Sequence, residues 1–275
     1  MANSAPPAQR QTAAKRPGKV LMHREESVCR IIFSNPDRYN AMSLAMWRDL
    51  KRIVDQADTD SGIRVIVLEG DGDKAFVSGA DISEFAQLRD TPEHIKDYGN
   101  AVKAAQHALS ACAKPTVASI RGICMGGGMG LALACDLRYC THDAKFRMPA
   151  ARLGLGYDLQ GIQRASSILG LANTADIFMT ARTFDGREAA RLGMVHQSYS
   201  EAEFAAAAKA AVDSIGKNAP LTIQAVKLAL SHVINPQDVA EQRVQRAIDA
   251  CFASKDYLEG QKAFRNKRDP EFKGQ

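Results

Sequence analysis

The fold is decided by residues 114–136, whose sequence is KPTVASIRGICMGGGMGLALACD. The pattern predicts a strand over residues 115–120, a glycine-rich turn over residues 126–130 and an apolar helix over residues 131–135. Consecutive glycines let a ligand approach the backbone, and the following helix directs free N–H groups at that ligand. Tight packing of the helix against the strand is the alternative explanation that these residues leave open.

The glycine run does not complete either of the common nucleotide-binding motifs. A dinucleotide fingerprint requires a glycine three residues after the G-x-G pair, but Leu131 and Leu133 occupy those positions. A Walker A motif requires Gly-Lys followed by Ser or Thr, which this run does not contain. We therefore expect the run to face an electron-rich group of another kind.

Strands and helices alternate on both sides of this stretch, which is typical of an α/β fold. Ser43 is the predicted N-cap of a helix over residues 44–54. Residues 82–98 are polar and contain Thr91-Pro92, so we expect a short helix and a mobile loop there. The other predicted elements are strands over residues 28–33, 64–69, 75–77, 136–140 and 145–148, and helices over residues 102–112, 174–180, 207–215, 221–233 and 237–253.

The chain divides into three predicted parts. The signal becomes helical throughout near residue 207, so we predict an α/β core over residues 20–206 and a helical domain over residues 207–275. Residues 1–19 contain four basic residues and no acid, which leaves +1 of the net charge of +5 for the rest of the chain. We expect this basic segment to be a disordered tail, and a transit peptide is the alternative.

The composition excludes several classes of protein. A chain of 275 residues with 45% hydrophobic and 24% charged residues is typical of a folded, soluble protein. No run approaches the roughly 20 apolar residues that a membrane helix requires. The six cysteines form no C-x-x-C pair, so we expect reduced, buried thiols rather than disulfides or a metal site.

A second glycine site follows the predicted strand over residues 75–77. Residues 78–81 (SGAD) end this strand and open a helix, so they also can present a backbone N–H group. Two N–H donors that converge on one oxygen are the usual device for stabilising an oxyanion. The two glycine sites together therefore predict an oxyanion hole.

Six segments resemble the motifs of one protein family. They are residues 35–42 (NPDRYNAM), 74–85 (KAFVSGADISEF), 114–136, 145–154 (KFRMPAARLG), 180–195 (TARTFDGREAARLGMV) and 259–267 (EGQKAFRNK). On these motifs, which lie in register over most of the chain, the sequence resembles the enoyl-CoA hydratase/isomerase, or crotonase, superfamily.

The resemblance implies an architecture and a substrate. It implies an α/β fold built as a crotonase-like spiral of ββα turns, with the C-terminal helices forming an oligomerisation domain. The expected assembly is a homotrimer, or a hexamer made as a dimer of trimers. The expected substrate is an acyl-CoA thioester, in which coenzyme A belongs to the substrate, and no permanently bound cofactor is expected.

The resemblance also assigns roles to individual positions. The N–H groups of Ala80 and Gly127 would hold the thioester oxygen and stabilise an enolate. Phe264 and Lys267 on the last helix would reach the adenine or its phosphates, from the same or a neighbouring subunit; a packed aromatic ring and a solvated lysine are the alternatives. The nucleotide and pantetheine path would be lined by Arg38, Ala41, Ala80, Asp81, Ile82, Ser83 and Gly127.

Two departures from the family pattern bear on the reaction. Hydratases of the family place two glutamates over the thioester, where they handle a water molecule and its protons. The matching positions in this chain are Gly130 and Ala150, and neither residue can transfer a proton. We therefore do not expect efficient hydration by the two-glutamate route.

Asp158 is the candidate residue for the proton transfer that the two missing glutamates would perform. It lies eight residues after Ala150, where the resemblance to dienoyl-CoA isomerases implies a proton-transfer aspartate. Tyr157 matches a tyrosine that flanks the acyl group in a decarboxylase branch. The alternative is that Asp158 only caps the helix that begins near Leu159.

Three functions remain open. The leading hypothesis is enoyl- or dienoyl-CoA isomerisation through an enolate, with decarboxylation or an atypical hydration as variants. The second is a catalytically weak acyl-CoA-binding protein. The third, RNA binding, is disfavoured because Arg48, Lys51 and Arg52 alternate with acids on the first helix. We expect neither nucleic acid nor membrane as a partner, and a cytoplasmic location, or the mitochondrial matrix if the source is eukaryotic.

Overall fold

The computed structural model describes residues 17–84 and 90–275. All but the last three residues of the predicted tail, residues 1–19, lie outside the described residues. Residues 85–89 of the predicted mobile loop lie outside them as well.

Ten strands form two sheets. They are β1 Lys19–Glu25, β2 Val28–Ser34, β3 Val65–Gly70, β4 Ala75–Val77, β5 Thr116–Ile120, β6 Ile123–Met125, β7 Leu137–Thr141, β8 Lys145–Arg147, β9 Thr183–Asp185 and β10 Gln197–Tyr199. The larger sheet has the order β1-β2-β3-β5-β7-β10, and the smaller sheet has the order β4-β6-β8-β9. Pairing is parallel except at β1, which is antiparallel to β2, and at β9, which is antiparallel to β8.

The helices follow the strands in a regular order. The α-helices of the described residues are α1 Leu44–Thr59, α2 Pro92–Ala111, α3 Gly127–Ala134, α4 Leu159–Thr180, α5 Gly186–Arg191, α6 Glu201–Lys217, α7 Pro220–Ile234, α8 Glu241–Phe252 and α9 Lys255–Arg265. Three successive units, β3-β4-α2, β5-β6-α3 and β7-β8-α4, each give one strand to each sheet before a helix follows. The predicted α/β class and the spiral of ββα turns are therefore confirmed.

The larger sheet is covered on both faces, which explains the unbroken apolar run of β3. Ile66 and Leu68 face the main hydrophobic core, which contains Trp47 of α1. Val65 and Val67 point to the opposite face and pack in a second cluster with Val212 of α6. Alternate residues of one strand are thus buried in two different clusters, as expected for a strand inside a parallel sheet.

Several predicted boundaries are wrong. The loop predicted up to residue 98 ends at Pro92, because the Thr91 hydroxyl caps α2 by accepting from the N–H of His94, and proline suits the first helical turn. Helix α3 begins at Gly127 rather than at residue 131. Helix α4 begins at Leu159 rather than at residue 174, with a break at Gly170, whose φ is 75°. Strand β1 was not predicted.

The C-terminal helices contact the core through both apolar and charged residues. Helix α6 starts at Glu201, ahead of the predicted domain boundary at residue 206, and packs on the larger sheet. In α7 the buried ammonium group of Lys227 forms an ion pair of 2.8 Å with Asp136, which follows α3. The division of the chain at residue 206 stays a prediction.

Candidate functional site

The two glycine sites meet at one edge of the smaller sheet. Strands β4 and β6 are parallel neighbours, with Val77 aligned with Cys124. The carboxyl ends of parallel strands lie at the same edge of a sheet, so the turns that follow these two strands are adjacent. Gly79 and Gly126 both have positive φ, 125° and 49°, which glycine adopts without steric cost.

The two turns approach each other closely. A Cβ atom added at Gly126 would lie 3.9 Å from the Cα of Gly79, and one added at Gly127 would lie 3.7 Å from the carbonyl carbon of Gly79. That carbonyl carbon is bonded to the nitrogen of Ala80. The structure thus brings the peptide groups of Ala80 and Gly127 together.

The N–H groups of Ala80 and Gly127 are free within the part of the chain that the structure describes. The neighbouring amides are used: the N–H of Asp81 donates to the carbonyl of Met42 at 2.9 Å, and that of Gly126 donates to the carbonyl of Arg147 at 2.9 Å. Gly127 is the first residue of α3, so its N–H cannot bond within the helix. The pair therefore has the composition of an oxyanion hole.

Residues 35–42 form a loop that holds the turn after β4 in place. The Asn40 side chain donates to the carbonyl of Ala75 at 2.7 Å, and the N–H of Ser78 donates to the carbonyl of Tyr39 at 3.1 Å. Ala41 is buried in this loop, where its carbonyl accepts from the side-chain amide of Asn35 at 2.9 Å. The N–H of Met42 donates to the carbonyl of Gly79 at 2.8 Å, so Ala41 lies next to the Ala80 turn, and its place on the coenzyme A path stays a prediction.

Arg38, Asp81 and Ser83 form one hydrogen-bonded group beside this loop. The Arg38 guanidinium donates to the Asp81 carboxylate and to the Ser83 hydroxyl, and the N–H of Ser83 donates to Asp81 at 3.0 Å. Burial alone would raise the pKa of Asp81, but the bonds from Ser83 and Arg38 lower it overall. Asp81 is therefore ionised at neutral pH. Ile82, next to it, is 72% exposed.

The space beside Gly130, where the first missing glutamate would lie, is filled by the side chain of Gln106. A Cβ atom added at Gly130 would lie 2.5 Å from Nε2 of Gln106 and 3.4 Å from the hydroxyl of Tyr157. Gln106 belongs to α2, and no motif in the sequence selects it. The one sequence feature that could have identified Gln106 is its spacing from Lys103 and His107, which places the three residues on one face of the helix.

Trp47 is a second contributor that the sequence did not identify. Its ring would lie 3.0 Å from a Cβ atom added at Gly127, and its indole N–H donates to the hydroxyl of Tyr98 at 3.1 Å. The Tyr98 hydroxyl in turn donates to the carbonyl of Met42 at 3.2 Å. These contacts hold the Trp47 ring in place beneath Gly127 in the candidate site.

The Tyr157 hydroxyl lies beside Gly130, and Asp158 lines the same cavity, whereas Ala150 lies in a short 3-10 helix before them. Burial raises the pKa of Tyr157, and the charge of Asp158 raises it further, so this hydroxyl stays protonated. Its ring packs edge-on against Phe178 with centroids 4.9 Å apart. Oδ1 of Asp158 accepts from the N–H of Gly161 at 3.0 Å, which makes Asp158 the N-cap of α4.

A narrow cavity of about 60 Å³ extends from these residues. Its wall is drawn from α2, α3, α4 and the end of α7, and it is mostly polar. The lining residues include Lys103, Gln106, His107, Gly130, Tyr157, Asp158, Arg164 and Asp238.

Phe264 and Lys267 lie elsewhere in this chain. Phe264 is 86% exposed and lines an apolar groove between α7, α8 and α9 that also contains Leu221 and Phe252. No contact in the described residues joins Phe264 or Lys267 to the Ala80 and Gly127 turns. A single copy of the chain thus leaves these two residues apart from the rest of the candidate site.

The described residues contain no cluster of three or more His, Cys, Asp or Glu side chains that could hold a metal ion. Among the same residues, no helix is long and apolar enough to cross a membrane.

Comparison with known proteins agrees with this geometry. The family model described as enoyl-CoA hydratase/isomerase matches residues 23–275. The chain is 32% identical over 266 residues to a peroxisomal Delta(3,5)-Delta(2,4)-dienoyl-CoA isomerase of Arabidopsis thaliana, covering 90% of this chain and 93% of the relative. It is 29% identical over 250 residues to a short-chain-enoyl-CoA hydratase of Clostridium acetobutylicum, covering 90% of this chain and 95% of that relative.

A solved structure shows the same architecture. The crystal structure of an enoyl-CoA hydratase/carnitine racemase from Magnetospirillum magneticum is 32% identical, has a TM-score of 0.87, and covers 93% of this chain and 96% of its own. The crotonase-like fold class is thereby confirmed. Because the family model spans nearly the whole chain and relatives above 30% identity cover most of it, the chain belongs to the enoyl-CoA hydratase/isomerase family.

Proposed function

We propose that this chain is an acyl-CoA isomerase that shifts a double bond of an enoyl or dienoyl thioester through an enolate. The observation that carries the proposal is the set of side chains around Gly130. Neither Gly130 nor Ala150 has a group that can transfer a proton, and the Gln106 amide occupies the space beside Gly130. Asp158 supplies a carboxylate to the wall of the cavity that Gly130 also lines.

The N–H groups of Ala80 and Gly127 would stabilise the enolate oxygen. Loss of a proton from the α- or γ-carbon places negative charge on the thioester oxygen, and two fixed donors lower the energy of that charge. Each such donor typically contributes roughly 10²- to 10³-fold in rate. Stabilisation of the enolate oxygen uses main-chain donors only, so any member of the family with this backbone can provide it.

Asp158 would move the proton. Its Oδ1 caps α4, but among the described residues no donor bonds to its Oδ2, so capping and proton transfer are compatible. The carboxylate takes a proton from one carbon of the conjugated system, exchanges it with solvent and delivers a proton to another carbon, so no water is consumed and no redox cofactor enters the balance. The protonated Tyr157 hydroxyl beside Gly130 would orient the acyl group.

The remaining parts of the proposal concern binding and assembly. Coenzyme A would lie along the Ala80 to Ser83 turn, where Arg38 is already bonded to Asp81 and Ser83. Phe264 and Lys267 would complete the nucleotide site from a neighbouring subunit of a trimer or hexamer. We place the reaction in fatty-acid metabolism, in the cytoplasm or in the mitochondrial matrix.

A catalytically weak acyl-CoA-binding protein is the second candidate. It is favoured by the capping bond from the N–H of Gly161 to Asp158, which gives this residue a structural role without chemistry. Such a protein would keep the two N–H donors and bind thioesters without turning them over.

The test is incubation of the purified chain with enoyl-, dienoyl- and malonyl-CoA thioesters in deuterated water, followed by mass spectrometry. An isomerase shifts the double bond and incorporates deuterium. Net addition of water would indicate a hydratase, and loss of carbon dioxide would indicate a decarboxylase. Tight binding with no exchange at any carbon would overturn isomerisation in favour of the binding protein.

A further inference from the structure

The cavity beyond Gly130 carries basic groups that the proposed reaction does not use. Arg164 on α4 is half-buried and lines this cavity. Its guanidinium makes no hydrogen bond or ion pair with any described residue. Burial lowers the pKa of Arg164, and the charges of Asp136 and Asp238 partly offset this effect. A half-buried guanidinium without a bonded partner is a candidate for ligand recognition.

Other bases surround the same space. Lys103 and His107 are on the same wall, and neither forms an ion pair with a described residue. A second cavity of about 290 Å³ shares His107 and Arg164 with the first, and Arg243 lies in its wall. The two cavities therefore form one polar region.

Some acids of this region accept hydrogen bonds from the main chain. Asp158 accepts from the N–H of Gly161, and Asp58 accepts from the N–H of Ala113 at 2.7 Å. Lys227 is bonded to Asp136 at 2.8 Å and is not available to a ligand. Asp238 is exposed, and its carboxylate has no hydrogen-bonded partner in the described chain. Within the described residues no ion pair neutralises Asp58, Asp158 or Asp238, so the feature that distinguishes this region is the half-buried, unbonded guanidinium of Arg164 and not a surplus of positive charge.

We propose that this region binds a carboxylate at the far end of the acyl group, so that the substrate is the CoA monothioester of a dicarboxylic acid. The inference rests on the proposed function, because it takes the reacting carbons to lie between the Gly127 turn and Gly130. A group in the adjoining cavity is then the end of the same acyl chain. A carboxylate is the anion that such a chain can carry and that a guanidinium binds through two parallel N–H bonds.

The experiment compares the affinities of saturated CoA thioesters, measured by calorimetry. Each acyl chain is used in three forms that end in a carboxylate, its methyl ester or a methyl group, over a series of chain lengths. We expect the carboxylate to bind about tenfold or more tightly than its ester at the best length, as a charge-assisted hydrogen bond provides. Equal affinity of the three forms at every length would overturn the inference.

Arg164→Met should remove the preference for the carboxylate while leaving the affinity for the methyl-ended thioester within about twofold. Arg187→Met is the matched control, because Arg187 is exposed on α5 and does not line the cavity, and it should keep the preference. A preference that survives in Arg164→Met would show that Arg164 does not bind the carboxylate. If no thioester binds to the unchanged protein, the proposed function itself fails; if the saturated thioesters bind but their unsaturated counterparts are not isomerised, only the reaction is wrong.

Discussion

At the scale of single residues, the site depends on glycines that have different tasks. Gly79 and Gly126 supply positive φ at the two turns, and Gly127 accommodates the ring of Trp47. Gly128 packs against strand β4, since a Cβ atom there would lie 2.1 Å from the carbonyl oxygen of Val77. Tight packing, one of the two explanations of the glycine run, therefore applies to Gly128, whereas ligand approach at Gly127 stays a prediction.

Asp158→Asn should lower turnover at least about 100-fold and leave acyl-CoA affinity nearly unchanged, because general acid-base groups contribute roughly 10²- to 10⁴-fold. Asparagine caps helices about as well as aspartate, so the thermal midpoint should not move. Steady-state kinetics and thermal unfolding of the same sample check both parts.

Asp158→Ala serves as the control for the capping role, because alanine removes the cap as well and should cost about 1 kcal/mol of stability. If Asp158→Asn kept full turnover, Asp158 would be a helix cap without a part in the chemistry.

At the scale of elements, two local sequence patterns predicted much of the fold: apolar runs bounded by glycine, and residues that cap helices. Apolar runs bounded by glycine predicted the strands of the ββα units, and Ser43 marked the start of α1, where its hydroxyl accepts from the N–H of Met46. Thr91-Pro92 was misassigned because the same dipeptide occurs in loops and at helix starts, and only the hydrogen bond to His94 distinguishes them. The break at Gly170 divides α4, and a local pattern detected only its second half.

Gly128→Ala should destabilise the protein by about 1 to 3 kcal/mol, because the new methyl group meets backbone atoms of β4 that cannot move away without shifting the sheet. The free energy of unfolding in urea measures this cost.

Gly99→Ala is the matched helical control. Gly99 lies inside α2, and a Cβ atom there has no neighbour within 4 Å. This variant should gain about 0.5 to 1 kcal/mol, since alanine is the better helix former. Equal effects of the two substitutions would argue against close packing of α3 on β4.

At the scale of the whole molecule, distant segments combine in ways that no local pattern displays. The backbone half of the candidate site was predicted, because Ala80 and Gly127 lie in recognisable glycine motifs. Of the cavity beyond Gly130, the sequence identified Gly130, Tyr157 and Asp158 but not Gln106 or Arg164, because the wall is drawn from α2, α3, α4 and α7 and these two residues are ordinary surface types in sequence. Likewise, nothing local pairs Lys227 with Asp136, which also accepts from the hydroxyl of Thr116 at 2.9 Å.

Lys227→Met should destabilise the protein by about 2 to 4 kcal/mol, because it leaves the partly buried Asp136 without its cation and loosens α7 from the core. Burial would lower the pKa of Lys227, but the Asp136 carboxylate raises it overall. The contribution is therefore fully present below the usual lysine pKa and is lost only as pH rises through the raised value. Urea unfolding at neutral and alkaline pH checks both statements.

Lys209→Met is the control for removing a lysine charge from this half of the chain. The side chain of Lys209 is 67% exposed and its ion pair with Asp213 lies within α6, so this variant should change stability by less than about 1 kcal/mol. A similar loss in both variants would mean that the Lys227 contact does not hold α7 to the core.

The N–H groups of Ala80 and Gly127 belong to the main chain, and this has a consequence for how the protein can evolve. A point mutation to any residue except proline at positions 80 and 127 keeps both donors, provided that the glycine turns keep their shape. Positions 106, 130, 150 and 158 can therefore gain or lose acids and amides while the donor pair persists. New reactions that proceed through the same kind of intermediate would therefore require a few amino-acid substitutions and no new fold.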